Sequence, residues 1–157
     1  FSEISTARLE EMAIHGVTIE YIRGLQTMGL RDLSASKVIE FKIHGLSPEY
    51  FQSIKDAGFH DVSPSDLLEL RIHGITPEYI KTVRGFGFGD LSLSKVLEFK
   101  IHGITKAYVQ ELKSQGFGDL SPSDVIEQKI HGITKAYIDE IRSLGYKDIS
   151  AVAAGVE

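Results

Sequence analysis

Histidine is the side chain in this sequence best suited to chemistry, because an imidazole titrates near neutrality, shuttles protons and ligates metals. His15, His44, His73, His102 and His131 follow one another at intervals of 29 residues. Each lies in a related phrase: AIHGVTIEY from Ala13, KIHGLSPEY from Lys42, RIHGITPEY from Arg71, and KIHGITKAY from Lys100 and again from Lys129. A metal ladder is one chemistry such a row invites, and distance argues against it. Equivalent positions in stacked helical units lie on the order of 10 Å apart, whereas two imidazoles on one zinc each need a nitrogen at about 2.0–2.1 Å. Within one phrase the companion ligand would be a carboxylate such as Glu69, four residues before His73, and one imidazole with one carboxylate makes a poor site. Cysteine is absent, which removes disulfides, thiolate metal sites and thiol catalysis. No metal and no cofactor are expected.

Hydroxyl chemistry fares no better. Ser5, Ser34, Ser63, Ser92 and Ser121 stand ten residues before the histidines, at helix N-caps, where the oxygen already accepts a backbone N–H. GFGFGD from Gly85 lacks the Lys and Ser/Thr that complete a phosphate loop. A catalytic constellation is single and asymmetric, while nearly every polar residue here recurs in phase. The expectation is a protein that is not an enzyme.

The elements that must position these residues can be read from the same phase. Gly16, Gly45, Gly74, Gly103 and Gly132 follow each histidine, and Tyr21, Tyr50, Tyr79, Tyr108 and Tyr137 lie six residues after it. A fixed period of this size marks a solenoid or array. In one copy, Ser63 caps a helix, Pro64 begins it and Gly74 stops it; Thr76 caps a second helix, Pro77 begins it and Gly85 or Gly87 ends it. Helices of about 10–12 residues are too short to stand alone in water, so they must pack on neighbours as hairpins. The predicted fold is all-α: a superhelical solenoid of short antiparallel helix pairs forming a single domain over 1–157. Its units run over 31–59, 60–88, 89–117 and 118–146, with partial units at 1–30 and 147–157. Three in-phase apolar sets are expected to form the seam between units: Ile43, Ile72, Ile101 and Ile130; Leu46, Ile75, Ile104 and Ile133; and Phe59, Phe88, Phe117 and Tyr146.

Within this frame the histidines read as corner residues. An imidazole in the last turn of a helix can bond terminal carbonyls, and its second nitrogen is expected to reach the aspartate two before a capping serine: Asp32, Asp61, Asp90, Asp119 or Asp148. The chemical alternative is a set of histidines titrating together near pH 6.5, which a melting temperature followed from pH 5 to 8 would expose. Glu11, Glu40, Glu69, Glu98 and Glu127, four before each histidine, read as a solvated charged face, and the tyrosines as core. Positions that change without disturbing the repeat are the expected partner surface: Arg31, His60, Gly89, Gly118 and Lys147, with Gln26, Lys55, Arg84 and Lys113. A protein- or peptide-interaction scaffold is the leading function, and a spacer or self-assembling rod the alternative.

Bulk composition fits a folded domain, with 42% hydrophobic and 25% charged residues. Seventeen basic against twenty-two acidic residues give a net charge of −5, which disfavours a broad polyanion-binding face. Apolar runs fall far short of the roughly 20 residues that cross a bilayer. The start, FSEISTARLEEM, has no signal-peptide pattern and no initiator methionine, so a longer parent is expected.

The phrase VSPSDLLELRIHGITPEYIKTVRGFGF from Val62, with DLS repeated at Asp32, Asp90 and Asp119, resembles a helical repeat in tails of the bacterial M56 (BlaR1-like) metallopeptidase family. The resemblance covers about Ile4 to Ile149. It implies a bacterial origin, attachment to a larger protein, and a soluble domain on the cytoplasmic or periplasmic side; it carries over no activity. The family's His-Glu-x-x-His zinc motif is missing, since each repeated histidine is followed by Gly and His60 by Asp. A weaker resemblance, to the helix-hairpin-helix of DNA-binding proteins, rests on IHGIT, where Thr or Ser stands in place of a second glycine; the net charge makes nucleic acid an unfavoured partner. Departures at Ile19 and Gly24, and the final ISAVAAGVE, leave apolar faces that invite end-to-end self-association.

Overall fold

Short capped helices, each ended by glycine, dominate the computed structural model, which describes residues 4–146 and 149. Among the described residues there are ten α-helices and no strand. In chain order they are α1 (Thr6–Ile14), α2 (Ile19–Thr27), α3 (Ala35–Ile43), α4 (Pro48–Asp56), α5 (Pro64–Ile72), α6 (Pro77–Arg84), α7 (Leu93–Ile101), α8 (Lys106–Ser114), α9 (Pro122–Ile130) and α10 (Lys135–Ser143). Nine have nine residues and α6 has eight, shorter than the 10–12 predicted because cap and stop residues lie outside the helical backbone.

Local chemistry sets both ends. Ser5, Ser34, Ser63, Ser92 and Ser121 cap the odd-numbered helices, each hydroxyl accepting from the backbone N–H three residues on. On α5 and α9 the cap is reciprocal: Asp66 and Asp124 accept from the backbone N–H of Ser63 and Ser121. At the other end of α3, Gly45 takes φ +67° and donates to the Lys42 carbonyl at 3.1 Å, while Leu46 N–H returns to the Phe41 carbonyl at 2.8 Å. The same paired closure recurs after α1, α5, α7 and α9, and it needs a residue that accepts positive φ. Helix α6 stops one residue early, because the next position is Gly85, a poor helix former. Phe86 then turns into the core and stacks on Phe99 at 6.1 Å.

The chain divides into two compact units, Phe1–Pro77 and Glu78–Glu157. In the first, α1 packs on α3 and α2 on α4, around Leu25, Phe41, Leu46, Ile54, Leu67, Leu70 and Ile75, each at most 1% exposed. Gly24, read from sequence as an irregularity inside α2, is explained here: a Cβ at this position would lie 2.6 Å from the ring of Pro48 at the start of α4. In the second unit α7 packs on α9, around Val83, Val96, Phe99, Leu112 and Val125.

The expected seam holds in part. Leu46, Ile75, Ile104 and Phe117 are buried as predicted and Ile133, Phe59 and Phe88 half-buried, but Tyr146 is 68% exposed, Ile43, Ile72, Ile101 and Ile130 are 57, 54, 49 and 57% exposed, and Ile14 80%. Each of these exposed isoleucines is the last helical residue before a histidine and a glycine, so no further turn of side chains closes over it.

Candidate binding surface

The corner histidines occupy the C-caps of the odd-numbered helices and act through the main chain: His15, His44, His73, His102 and His131 donate their backbone N–H to the carbonyl four residues back at 2.9–3.1 Å. Their rings are exposed or half-exposed. Among the described residues no imidazole reaches Asp32, Asp61, Asp90 or Asp119, and the one close carboxylate is Glu127, 4.0 Å from His131 Nε2; Asp148 lies outside the described residues. Hence the sequence-based picture of an imidazole staple is corrected. The terminal carbonyl of α3 is instead served from α5, where Arg71 Nε donates to the His44 carbonyl at 3.3 Å. Among the described residues no three of His, Cys, Asp and Glu are grouped to hold a metal.

Three of the repeat tyrosines clip one helix pair to the next. In the first unit Tyr21 Oη donates to the Leu46 carbonyl at 2.6 Å and Tyr50 Oη to the Ile75 carbonyl at 2.8 Å. The second unit repeats it with Tyr108 and the Ile133 carbonyl at 2.7 Å. A cation from the following pair then covers each ring. Lys42 Nζ lies 4.7 Å from the Tyr21 centroid, Arg71 Cζ 5.2 Å from Tyr50, Lys100 Nζ 4.6 Å from Tyr79 and Lys129 Nζ 4.5 Å from Tyr108. Burial pushes the phenols of Tyr21, Tyr50 and Tyr108 up to about 12 from an ordinary 10.0, so they stay neutral donors. Sequence reading placed these tyrosines in the core, but missed their basic partners. The signal was present: a Lys or Arg stands two before the histidine in every copy but the first. The recurring glutamates turn the other way, Glu40 pairing with Lys37 at 2.9 Å and Glu98 with Lys95 at 2.7 Å.

Three residues of the expected partner surface meet in the first unit. A cleft of about 550 Å³ opens between the α2–α3 and α4–α5 connections, and Arg31, Lys55 and His60 all line it. Met28, Leu30, Leu33, Phe51, Val62 and Pro64 give it an apolar floor, and Asp32 and Asp61 share the rim. Lys55 Nζ stands 4.4 Å over the Phe51 ring, and Arg31 Nε makes a long 3.5 Å contact with the Gln26 carbonyl. Other residues of the expected surface lie apart from this cleft. Lys113 covers the Phe88 ring at 5.4 Å; Gln26, Arg84, Gly89 and Gly118 are exposed; Lys147 is outside the described residues.

No family model matches the chain, and neither does any curated protein or solved structure. None of the described helices is long and apolar enough to cross a membrane.

Proposed function

We propose that the chain is a non-catalytic scaffold, its helix pairs stacking as a superhelical α-solenoid of 29-residue units, whose first unit holds a peptide segment of a protein partner. The stacking is supported by helix starts at Thr6, Ala35, Pro64, Leu93 and Pro122, each 29 residues on, and by clips that join residues 25 apart. Stacked repeats offer extended surfaces suited to peptides. The observation that carries the peptide reading is the convergence of Arg31, Lys55 and His60 on one cleft with an apolar floor. In line with the repeat's resemblance to tails of the M56 family, the scaffold belongs to a larger bacterial protein, on its cytoplasmic or periplasmic side. Panning a displayed random-peptide library on the whole chain tests the function. Enriched peptides should shift the NMR resonances of Arg31, Phe51 and His60; enrichment of nothing, or of peptides that leave these residues unmoved, refutes it.

A second reading, a self-assembling rod, is favoured by apolar side chains left open near each end: Leu9 at 52% exposed on α1, and Leu144 and Tyr146 at 69 and 68% after α10. Light scattering should then show mass rising with concentration, and a constant monomer mass removes the rod.

A further inference from the structure

The recurrence within the chain separates what the cleft shares with its counterparts from what it alone has. Asp32 and Asp61 recur in the second unit as Asp90 and Asp119, each two residues before a capping serine. They belong to the connection itself, and their carboxylates share the rim with the basic side chains. Arg31 and His60 are not fixed by the repeat: the equivalent positions of the second unit hold Gly89, Gly118 and Lys147. The first unit thus carries a guanidinium and an imidazole on connections that elsewhere carry glycine or lysine. Lys55 supplies an ammonium on the same wall.

These side chains present N–H donors to an anion. Arg31 is exposed and, among the described residues, engages the protein through Nε alone, which leaves its two terminal amino groups for the bidentate geometry that guanidinium forms with carboxylate. His60 is exposed on the facing connection. Lys55 is held in direction by the Phe51 ring. Between them, Leu30, Phe51 and Val62, each at most 9% exposed, form a floor whose outer edges line the cleft with Met28 and Pro64. A polyphosphate chain would want many cations and no floor of this kind.

We propose that this cleft binds acidic peptides, segments in which carboxylate side chains flank an apolar one, with Arg31 and His60 as the residues that select for acid. The proposal rests on the peptide-binding reading above and names the chemistry of its ligand. The apolar side chain sits on the Leu30, Phe51 and Val62 floor, and the flanking carboxylates reach Arg31 on one rim and His60 on the other.

Titration of the whole chain with three synthetic hexapeptides tests it, each with a central leucine–phenylalanine pair flanked by glutamates, glutamines or lysines. Binding is read by NMR shifts and calorimetry at near-physiological salt. The acidic peptide should bind at least tenfold more tightly than the neutral one and shift Arg31, Phe51 and His60. The double variant Arg31→Gln/His60→Gln should abolish that preference, and Arg31→Glu/His60→Glu should transfer it to the basic peptide. Both sites are exposed connections where the chain elsewhere carries glycine or lysine, so the helix content of the variants should match the parent by circular dichroism. Equal binding of acidic and neutral peptides overturns the acidic class and leaves peptide binding standing; binding of none of the three overturns both. Displacement of the acidic peptide by inorganic phosphate at matched ionic strength would show a simple anion site and also overturn the proposal.

Discussion

Removing one oxygen tests the clip that joins the helix pairs. Tyr50 Oη lies 2.8 Å from the Ile75 carbonyl, in a setting where Ile75 is 0% and Tyr50 9% exposed. Tyr50→Phe keeps the ring, and with it the Arg71 guanidinium at 5.2 Å, and deletes the donor alone. A typical hydrogen bond contributes about 1 kcal/mol net, and a buried acceptor left without a donor costs about 1–3 kcal/mol, so a loss of about 2 kcal/mol is expected. With a urea slope of about 2 kcal/mol per M for a chain of this size, the unfolding midpoint should fall by about 1 M. Tyr137→Phe is the control, because Tyr137 is 48% exposed and among the described residues its hydroxyl meets no carbonyl; its midpoint should stay within about 0.2 M of the parent. Circular dichroism during urea titration reads both variants, and amide exchange should place the Tyr50→Phe loss in α4 and the corner after α5. If Tyr50→Phe unfolds at the same urea concentration as Tyr137→Phe, the hydroxyl is no clip and stacking rests on apolar contact alone.

Three further outcomes follow from other features. Tyr21, Tyr50 and Tyr108 are held up to about 12 by burial, while an unfolded tyrosine ionises near 10. The stability gained by keeping them neutral is therefore whole below pH 10 and lost as pH rises through 12; a melting temperature that stays level over that window would refute it. Gly24→Ala should destabilise by about 1–3 kcal/mol, as overpacking does, because the new methyl would meet the rigid Pro48 ring at 2.6 Å; an unchanged urea midpoint would show that α4 moves aside freely. Ile43→Ser and Ile72→Ser, at positions 57 and 54% exposed, should each change stability by at most about 0.5 kcal/mol, and a loss above about 1.5 kcal/mol in the same titration would mean these side chains are covered.

Much of the fold was legible because its punctuation is local. A capping serine, a proline at the first helical position and a glycine with positive φ each act within a few residues, and the sequence states them at a fixed interval. Burial at the helix ends was not legible. Ile72 is in phase with Leu68, four residues earlier and 6% exposed, so a count by helical period puts both inside, yet Ile72, the last residue of α5, is 54% exposed. The histidine was misread for a related reason. Its invariance in the phrase suggested a role for the ring, whereas the geometry uses its main chain at the C-cap. The cleft was half legible, since sequence marked Arg31, Lys55 and His60 as free to vary, but their convergence depends on two connections 29 residues apart being brought side by side.

The tyrosine clip bears on how such a chain can grow. Every clip reaches a carbonyl 25 residues ahead, and none refers to the total number of units. On the proposed solenoid, cutting out or inserting one full period would leave each of these three tyrosines facing an equivalent carbonyl, so length would be a variable that duplication and deletion can adjust. Contacts that stay this near in sequence also favour quick assembly, because each pair needs only its immediate neighbour to close.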